Sequence, residues 1–411
     1  VDMHLLTVDT LEQAQNKIYS YLAKNELKTE KIALTQAFQY ILAEDIHAPF
    51  AVPHFRRSTV DGYAIHSLDT VGAGESIPCF LKVLGAVEMG EENRYTVKRG
   101  ECVYVPTGGM LPNGADAMLM IEYAEKFGEN EIACYQNVKH NQYVVDVGED
   151  IPEKSLVLEK GTILRPHEIG VLASLGLAEV LVYAKPTVAI ISLGDEILQA
   201  GERLEAGKIY DVNTYGLYAQ AVKFGFAVQE YHHVKDDREA ICRMLENVVH
   251  HVDIVCVSGG SSQGEKDFTA SLLAEISTTG ILTHGIAVKP GKPTITAYDE
   301  KNACLLLGLP GHPVAAMLLF ELLAAQVYRK LWQVPPIVQI TAKMACNFPS
   351  AEGRLTCQLV QLEREGHEYT AIPIFGKSGV VSSLAKAQGY ILVGMNSEGV
   401  KKDEQVCVYL I

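Results

Sequence analysis

The stretch Asp253-Ile-Val-Cys-Val-Ser-Gly-Gly-Ser-Ser-Gln-Gly-Glu-Lys-Asp267 decides the fold of the central part of this chain. It opens with an apolar run, typical of a strand buried on both faces, and continues into a glycine-rich turn before a helix. Val188–Ser192 and Cys304–Leu307 are similar apolar runs, and amphipathic helical patterns lie between the runs. Strands that alternate with helices predict a parallel, doubly wound α/β sheet over residues 185–332.

Helix-capping residues mark two helices of this region. Asn213 and Gly225 are expected to be the N-cap and C-cap of the first, and Asp236 and Glu239 to form a capping box for the second. The apolar stretch Val314–Trp332 is interrupted by charged residues, so it predicts a buried helix rather than a membrane span.

The pattern changes on both sides of the α/β segment. Residues 1–48 are predicted to hold two helices, the second over Thr35–Ala43, while short β-rich runs fill the stretches from about Pro49 to Val145 and beyond Pro335. A turn at Gly128-Glu129-Asn130 predicts a hairpin. The predicted domains are a helical and β linker domain (1–48 and 146–184), an inserted β domain (49–145), the α/β domain (185–332) and a terminal β domain (333–411).

The amino-acid composition indicates a globular protein and excludes some classes of function. Of 411 residues, 48% are hydrophobic and 21% charged, as in globular proteins. Asp plus Glu number 50 against 35 Lys plus Arg, and the net charge of −15 argues against a nucleic-acid binder that works by charge. The nine scattered cysteines form no CxxC pair, which favours a reducing compartment. With no basic segment leading into an apolar stretch at the N-terminus, a cytoplasmic protein without a membrane segment is expected.

Candidate binding residues follow the predicted strands, where doubly wound sheets bind their ligands. The glycines and serines after the central strand can cradle a phosphate with backbone N–H groups, although two glycines also make an ordinary tight turn. Nearby, Lys289-Pro290-Gly291-Lys292-Pro293 reads as a rigid loop that holds two cations, or as a solvated surface turn.

Acidic residues gather at the same strand ends. They are Asp195, Glu196, Asp236, Asp237 and Asp267. Carboxylates beside a phosphate cradle commonly position a hydrated Mg²⁺. Each has an alternative role, since Asp236 could be only a helix cap and Asp267 could only favour the helix dipole.

Taken in order, the motifs resemble those of the molybdopterin molybdenumtransferase family, which includes bacterial MoeA and the E domain of gephyrin. The matching stretches cover nearly the whole chain, and several motifs in one order are far more specific than a lone glycine loop. They are Pro53-His54-Phe55 with Ser58 to Ala64, Thr107-Gly108, Gly114 to Ala117, Gly148 to Ile151, Gly194-Asp195-Glu196, Ser258-Gly259-Gly260, Lys289 to Pro293, Gly308 to Gly311 with Pro313 to Ala316, and Gly376 to Gly379.

The resemblance implies a four-part subunit with a molybdopterin-binding α/β domain and a C-terminal β barrel, in a homodimer whose subunits share the active cleft. The implied reaction inserts molybdenum from molybdate into adenylyl-molybdopterin and releases AMP, with Mg²⁺ as cofactor and a molybdopterin adenylyltransferase upstream. A non-catalytic molybdopterin carrier or scaffold, and a tungstate-inserting enzyme, are the alternatives.

The resemblance also implies roles for individual residues. The catalytic set is Asp61, Thr107, Glu196, Asp236, Asp267 and Lys289, with Asp61 and Thr107 reaching in from the partner subunit. Molybdopterin and phosphate would be held by Asp195, Ser258, Gly259, Gly260, Ser262, Gly264, Lys292, Pro310, Gly311 and Pro313. Arg354 and Ser378 would border molybdate, and Glu196, Asp236 and Asp267 would hold the metal. The sequence departs from the family's common residues at Val60, Gly109, Leu193, Ser261, Gln263 and His312.

Overall fold

The described part of the chain begins with a helix and two short strands. The structure is a computed structural model that describes residues 8–235, 237–259, 266–376 and 381–411, with only the backbone for residues 266 and 267. These elements are α1 (Leu11–Leu22), β1 (Thr29–Ala33) and β2 (Ile46–His47). The helix predicted over Thr35–Ala43 is wrong. The segment has a 3₁₀ turn at Leu34–Gln36, and Leu42 then forms a β-bridge to Val182.

Residues inserted after β2 form a β structure of their own. Its strands are β3 (Arg57–Ser58), β4 (Gly62–Ile65), β5 (Cys79–Ala86), β6 (Glu101–Val105), β7 (Ala117–Met120), β8 (Ala124–Phe127), β9 (Glu131–Cys134) and β10 (Val144–Val145). Short 3₁₀ turns occur at Ser67–Thr70 and Ile121–Tyr123. Six strands form a sheet in the order β7-β4-β6-β5-β9-β8, and the hairpin predicted at Gly128-Glu129-Asn130 joins β8 to β9.

The two ends of this insertion run side by side. β3 pairs with β10, and Val52 forms a bridge to Ile151. Closer to the rest of the chain, the Lys154 N–H donates to the Ala48 carbonyl at 2.8 Å, and the Ala48 N–H donates to the Ser155 carbonyl at 2.9 Å. The insertion is therefore attached through a paired, two-stranded neck.

After the neck, the chain returns to pair with its first strands. The elements are β11 (Leu156–Leu158), α2 (Pro166–Ser174) and β12 (Glu179–Tyr183). β11 pairs with β2 and β12 with β1, both antiparallel. Leu42, Leu164, Leu172 and Val182 form the centre of a core between them.

A six-stranded sheet with helices on both faces follows. Its segment contains β13 (Thr187–Leu193), β14 (Ile197–Leu198), β15 (Ile209–Tyr210), α3 (Asn213–Lys223), β16 (Ala227–Val234), α4 (Arg238–Val248), β17 (Ile254–Gly259), α5 (Lys266–Ile276), β18 (Ile281–His284), β19 (Val288–Lys289), β20 (Ile295–Asp299), β21 (Cys304–Leu309), α6 (Pro313–Phe320), a π-helical segment (Glu321–Ala325) and α7 (Gln326–Leu331). The order β16-β13-β17-β21-β20-β18 is parallel through β21, as predicted. The sequence did not predict the two further strands of this sheet, in which β20 pairs antiparallel with β21 and β18 antiparallel with β20.

Alternate residues of β13 enter two different cores. Val188 and Ile190 pack with Leu217 of α3, whereas Ala189 and Ile191 pack with Leu245 of α4. Because successive side chains of a strand point to opposite faces, an apolar residue at every position requires helices on both sides of the sheet.

The start of α4 corrects one predicted cap. The carboxylate of Asp237 accepts hydrogen bonds from the N–H groups of Glu239 at 3.0 Å and Ala240 at 3.3 Å, so Asp237 is the N-cap. Asp236, predicted to take this role, lies outside the described residues.

The predicted buried helix over Val314–Trp332 is confirmed, as α6 and α7 joined through the π-helical segment. A π-turn widens the helix and leaves backbone groups to be paired elsewhere. Here the side chain of Gln15, on α1, donates to the Leu322 carbonyl at 2.7 Å. Within the described ranges, none of the helices is long and apolar enough to cross a membrane.

The last part of the chain is a closed barrel. Its elements are β22 (Gln339–Met344), β23 (Phe348–Pro349), β24 (Leu355–Glu365), β25 (Glu368–Pro373), α8 (Ser382–Lys386), β26 (Gly389–Val393), β27 (Gly399–Val400) and β28 (Gln405–Leu410). Strands β24-β25-β22-β28-β26 form a ring, because β26 pairs back to β24. β19 also pairs with β24 and joins the barrel to the preceding segment.

Asp253 stabilises the starts of two strands of the central sheet. Its carboxylate accepts hydrogen bonds from the Thr187 N–H and hydroxyl, each at 2.8 Å, and from Lys28 Nζ at 2.8 Å. Burial raises the pKa of Asp253, but these hydrogen bonds outweigh it and hold the pKa below its ordinary value. Such a carboxyl stabilises the fold above its unfolded-state pKa, and this stabilisation is lost as the pH falls through the folded-state pKa.

We therefore expect Asp253→Asn to lower the free energy of unfolding at pH 7 by about 1–3 kcal/mol. The difference from the original chain should shrink as the pH falls below about 4, where the carboxyl becomes protonated. Urea unfolding at several pH values measures both effects. An equal loss at every pH would contradict a contribution from the ionised carboxylate.

Candidate active site

The carboxyl ends of β13, β17 and β21 lie next to one another at one edge of the sheet. Ser192 is in register with Ser258, and Ser258 with Leu309. The strand ends Leu193, Gly259 and Leu309 therefore lie at neighbouring positions, on the side of the sheet where doubly wound folds bind their ligands.

Asn213 joins the end of β17 to the loop after β21, and the sequence did not identify it as a site residue. Its side-chain Nδ2 donates to the Ser258 hydroxyl at 2.6 Å and to the Gly311 carbonyl at 2.8 Å. The prediction that Asn213 caps α3 is wrong. Asp211 accepts from the Thr214 N–H at 2.9 Å and from its hydroxyl at 2.6 Å, which leaves the Asn213 side chain for the loops.

Removing this link is expected to weaken the edge of the sheet. Asn213→Ala leaves the buried Ser258 hydroxyl and the Gly311 carbonyl without this donor, which should lower the free energy of unfolding by about 1–3 kcal/mol. Urea unfolding measures the change, and Asn130→Ala in the exposed β8–β9 turn is the matched control. Equal unfolding midpoints for the two variants would contradict the assigned role of Asn213.

The backbone of β17 passes close to that of β13 where the two strands end. Gly259 has a φ of +110°, and a Cβ on it would lie 2.2 Å from the Leu193 carbonyl oxygen. One residue beyond Leu193, the Gly194 carbonyl lies 2.9 Å from His233 Nε2, although the adjacent pair His232-His233 gave no functional signal in the sequence. These contacts fix the path of the strand ends.

The lysine–proline loop lies in a cavity shared with the barrel. Lys289, Lys292, Pro310, His312 and Arg354 line one cavity of about 630 Å³, here called the cationic cleft. The backbone of Lys289 is in register with Thr356 of β24, which places the loop against the barrel. The structure thus brings together residues predicted to bind phosphate and a residue predicted to border molybdate.

The cationic cleft is positive in an acidic protein. Lys289, Lys292 and Arg354 are exposed, and none of them pairs with a carboxylate among the described residues. Of the described residues that line the cleft, none is Asp or Glu, while the whole chain has a net charge of −15. A concave surface of one charge sign raises the local concentration of oppositely charged ligands.

The barrel supplies aromatic walls that the sequence did not reveal. Phe348 and Phe375 line the cationic cleft with ring centroids 6.3 Å apart, and Phe375 is 67% exposed. An exposed phenylalanine beside a cleft is a surface on which a planar ring can stack. In the sequence these residues were indistinguishable from other aromatic residues of a β domain.

Several residues predicted for the site fall outside the described part of the chain. Outside the described residues lie Asp236, Gly260, Ser261, Ser262, Gln263, Gly264 and Ser378. Asp267 lies in the first turn of α5, but its side chain is not described. Asp195 and Glu196 are exposed in the loop after β13, and Pro313 is the first residue of α6.

Other predicted residues are placed away from the cleft lining. Asp61 and Thr107 lie together on the insertion, where the Thr107 N–H donates to the Asp61 carboxylate at 2.8 Å, and neither is among the described residues that line the cationic cleft. Leu193 is 1% exposed and packs in the core with Ile191. A hydroxyl at position 193 would therefore lie in that core.

The described side chains contain no group of three His, Cys, Asp or Glu that could hold a metal ion. Of the three residues predicted to hold Mg²⁺, Glu196, Asp236 and Asp267, only Glu196 has a described side chain. Its carboxylate oxygens would lie 2.8 and 2.9 Å from a Cβ placed on Gly194, so the carboxylate folds back over the strand end. Carboxylate oxygens of this kind are the donors that Mg²⁺ prefers.

Comparison with known proteins identifies the family. The model of the MoeA N-terminal region, domains I and II, matches residues 9–176, and that of the MoeA C-terminal region, domain IV, matches residues 341–411. Between them, a model described as a probable molybdopterin-binding domain matches residues 189–330. The chain belongs to the MoeA family.

Curated relatives of this MoeA-family chain are named molybdopterin molybdenumtransferase. The Haemophilus influenzae protein is 32% identical over 97% of this chain and 98% of its own length, and the Bacillus subtilis protein is 30% identical over 98% and 94%. A crystal structure titled molybdopterin biosynthesis MoeA protein, from Pyrococcus horikoshii OT3, matches with a TM-score of 0.82 and 31% identity over 98% of this chain and 100% of that one. The predicted family and fold class are confirmed, and the chain is a transferase of molybdenum cofactor biosynthesis.

Proposed function

We propose that this MoeA-family chain inserts molybdenum from molybdate into adenylyl-molybdopterin. In this reaction the phosphoanhydride between the adenylyl group and molybdopterin is hydrolysed, AMP leaves and molybdenum stays on the dithiolene. The observation that supports the proposal most directly is the cationic cleft, which offers three cations and no described carboxylate to a substrate that carries two linked phosphates.

Lys289 and Lys292 would neutralise phosphate charge, because both line the cleft. Arg354, on the barrel side, would face molybdate, and the exposed ring of Phe375 offers a surface to the planar pterin. Catalysis would come mainly from holding the substrate and neutralising its charge as the phosphoanhydride breaks, the usual strategy of phosphoryl chemistry.

Glu196 fits a magnesium ion by the chemistry of its carboxylate, and Asp236 and Asp267 would complete the oxygen set. Bound there, Mg²⁺ would supply neutralisation of phosphate charge. The proposal further includes a homodimer in which Asp61 and Thr107 of one subunit approach the cleft of the other, a cytoplasmic location and a molybdopterin adenylyltransferase that supplies the substrate.

The test is AMP release by the purified protein with adenylyl-molybdopterin, molybdate and Mg²⁺. We expect AMP only when molybdate is present. No AMP from a folded protein would falsify the proposal, and tight pterin binding without AMP release would favour a carrier. Direct competition between molybdate and tungstate in the same assay decides which oxyanion the enzyme uses.

A further inference from the structure

Glu321 is a buried carboxylate to which the proposed reaction gives no role. It is 2% exposed and is the first residue of the π-helical segment after α6. Burial raises its pKa, against the opposing effects of hydrogen bonds from Tyr390 and Gln220 and of the charges on Lys223 and Arg329. A buried carboxylate carries a desolvation cost, so it is retained only where its contacts offset that cost.

The contacts of Glu321 join three separate elements. Gln220 Nε2, on α3, donates to Glu321 Oε2 at 2.9 Å, and the Tyr390 hydroxyl, on β26 of the barrel, donates to Glu321 Oε1 at 2.8 Å. Tyr390 is fully buried and is held on its other side by the ring of Tyr409, stacked with a centroid distance of 5.1 Å. Glu321 thus links the central sheet segment to the barrel.

Elements adjacent to those joined by Glu321 form walls of the cationic cleft. α6 contributes Val314 and Ala315 to one wall, and its Leu319 supports the lysine loop, since a Cβ on Gly291 would lie 2.4 Å from the Leu319 side chain. On the other wall, Leu359 of β24 lines the cleft and is in register with Tyr390 of β26.

We propose that Glu321 is a positioning residue for the cationic cleft. Its hydrogen bond to Tyr390 fixes the barrel against the end of α6, so that Arg354 on the barrel side keeps its place relative to Lys289. This inference rests on the proposed function, because it treats the cleft as the substrate site.

Tyr390→Phe tests the link by deleting one hydroxyl. We expect kcat for AMP release to fall by about tenfold or more, with a smaller change in KM, because misplaced charges stabilise the transition state less well. Glu321→Leu should have the same effect, whereas Glu321→Gln keeps an oxygen that accepts from Tyr390 and should retain most of the activity. Tyr409→Phe removes a neighbouring hydroxyl that does not contact Glu321 and is the matched control.

Hydrogen exchange followed by mass spectrometry provides a readout that does not need turnover. Residues 355–359 and 389–393 should exchange faster in Tyr390→Phe than in Tyr409→Phe. The inference is overturned if these two variants match in exchange or in kcat, or if exchange rises while kcat is unchanged. If Glu321→Leu fails to fold, the comparison of Tyr390→Phe with Tyr409→Phe still tests the proposal.

If the original chain releases no AMP, the proposed function fails without deciding the role of Glu321. Calorimetric titration with AMP then replaces kcat as the measure of the cleft. Weaker AMP binding together with faster exchange in Tyr390→Phe would support the link, and unchanged AMP affinity would overturn it.

Discussion

Replacing Lys289 with methionine is expected to lower kcat/KM for AMP release by about 100-fold, the cost of removing one preorganised group that stabilises transition-state charge. Methionine keeps an unbranched apolar side chain and removes only the ammonium group. Lys289 lies on the cationic cleft, and its backbone is in register with Thr356 of β24, the strand that begins directly after Arg354. The measurement is steady-state AMP release at saturating molybdate.

Lys301→Met is the matched control, because Lys301 is an exposed lysine in the turn between β20 and β21, at the other end of β21 from Pro310. Its kcat/KM should stay close to that of the original chain. The two variants should also share one unfolding temperature, since neither lysine forms part of a core. Equal activity in both variants would remove Lys289 from the catalytic set.

Gly259→Ala is expected to reduce the free energy of unfolding by about 3 kcal/mol. The glycine has a φ of +110°, and a Cβ there would lie 2.2 Å from the Leu193 carbonyl oxygen. Because the obstacle is backbone rather than a flexible side chain, β13 and β17 would have to move apart where they end. Urea unfolding measures the loss, and AMP release should fall with it.

Gly280 provides the comparison for this substitution. It also has a positive φ, +70°, but nothing lies within 4 Å of a Cβ placed on it. Gly280→Ala should therefore lower the free energy of unfolding by only about 1 kcal/mol, the cost of placing alanine at a positive φ. Similar decreases in the free energy of unfolding for the two alanine variants would show that the close approach to Leu193 does not contribute to the effect.

The doubly wound core could be predicted because its signal is local. Residues 188–191 are apolar at consecutive positions, a pattern typical of a strand buried on both faces. The antiparallel edge could not be predicted in the same way. β18 and β20 are short, and their direction depends on the pairing of β20 with β21 and of β18 with β20, which no local pattern encodes.

The residues of the candidate site also differ in whether a local sequence pattern marks them. Lys289 and Lys292 could be proposed from sequence because they belong to a segment of unusual composition near the strand ends. Asn213 was taken for a cap, since its bonds to Ser258 and Gly311 span 45 and 98 positions of sequence. Glu321 looked like one charge within an apolar helix, and its partner Tyr390 is 69 positions away.

The neck of the insertion has a consequence for how this architecture can change. Ala48 and Lys154 are already hydrogen-bonded neighbours, so a bridge of a few residues in place of positions 49–153 would reconnect the backbone without displacing the central sheet or the barrel. Such an excision would remove the Asp61–Thr107 pair and leave the cationic cleft in place. The architecture therefore permits one subdomain to be exchanged or deleted as a unit, independently of the half of the molecule that contains the cationic cleft.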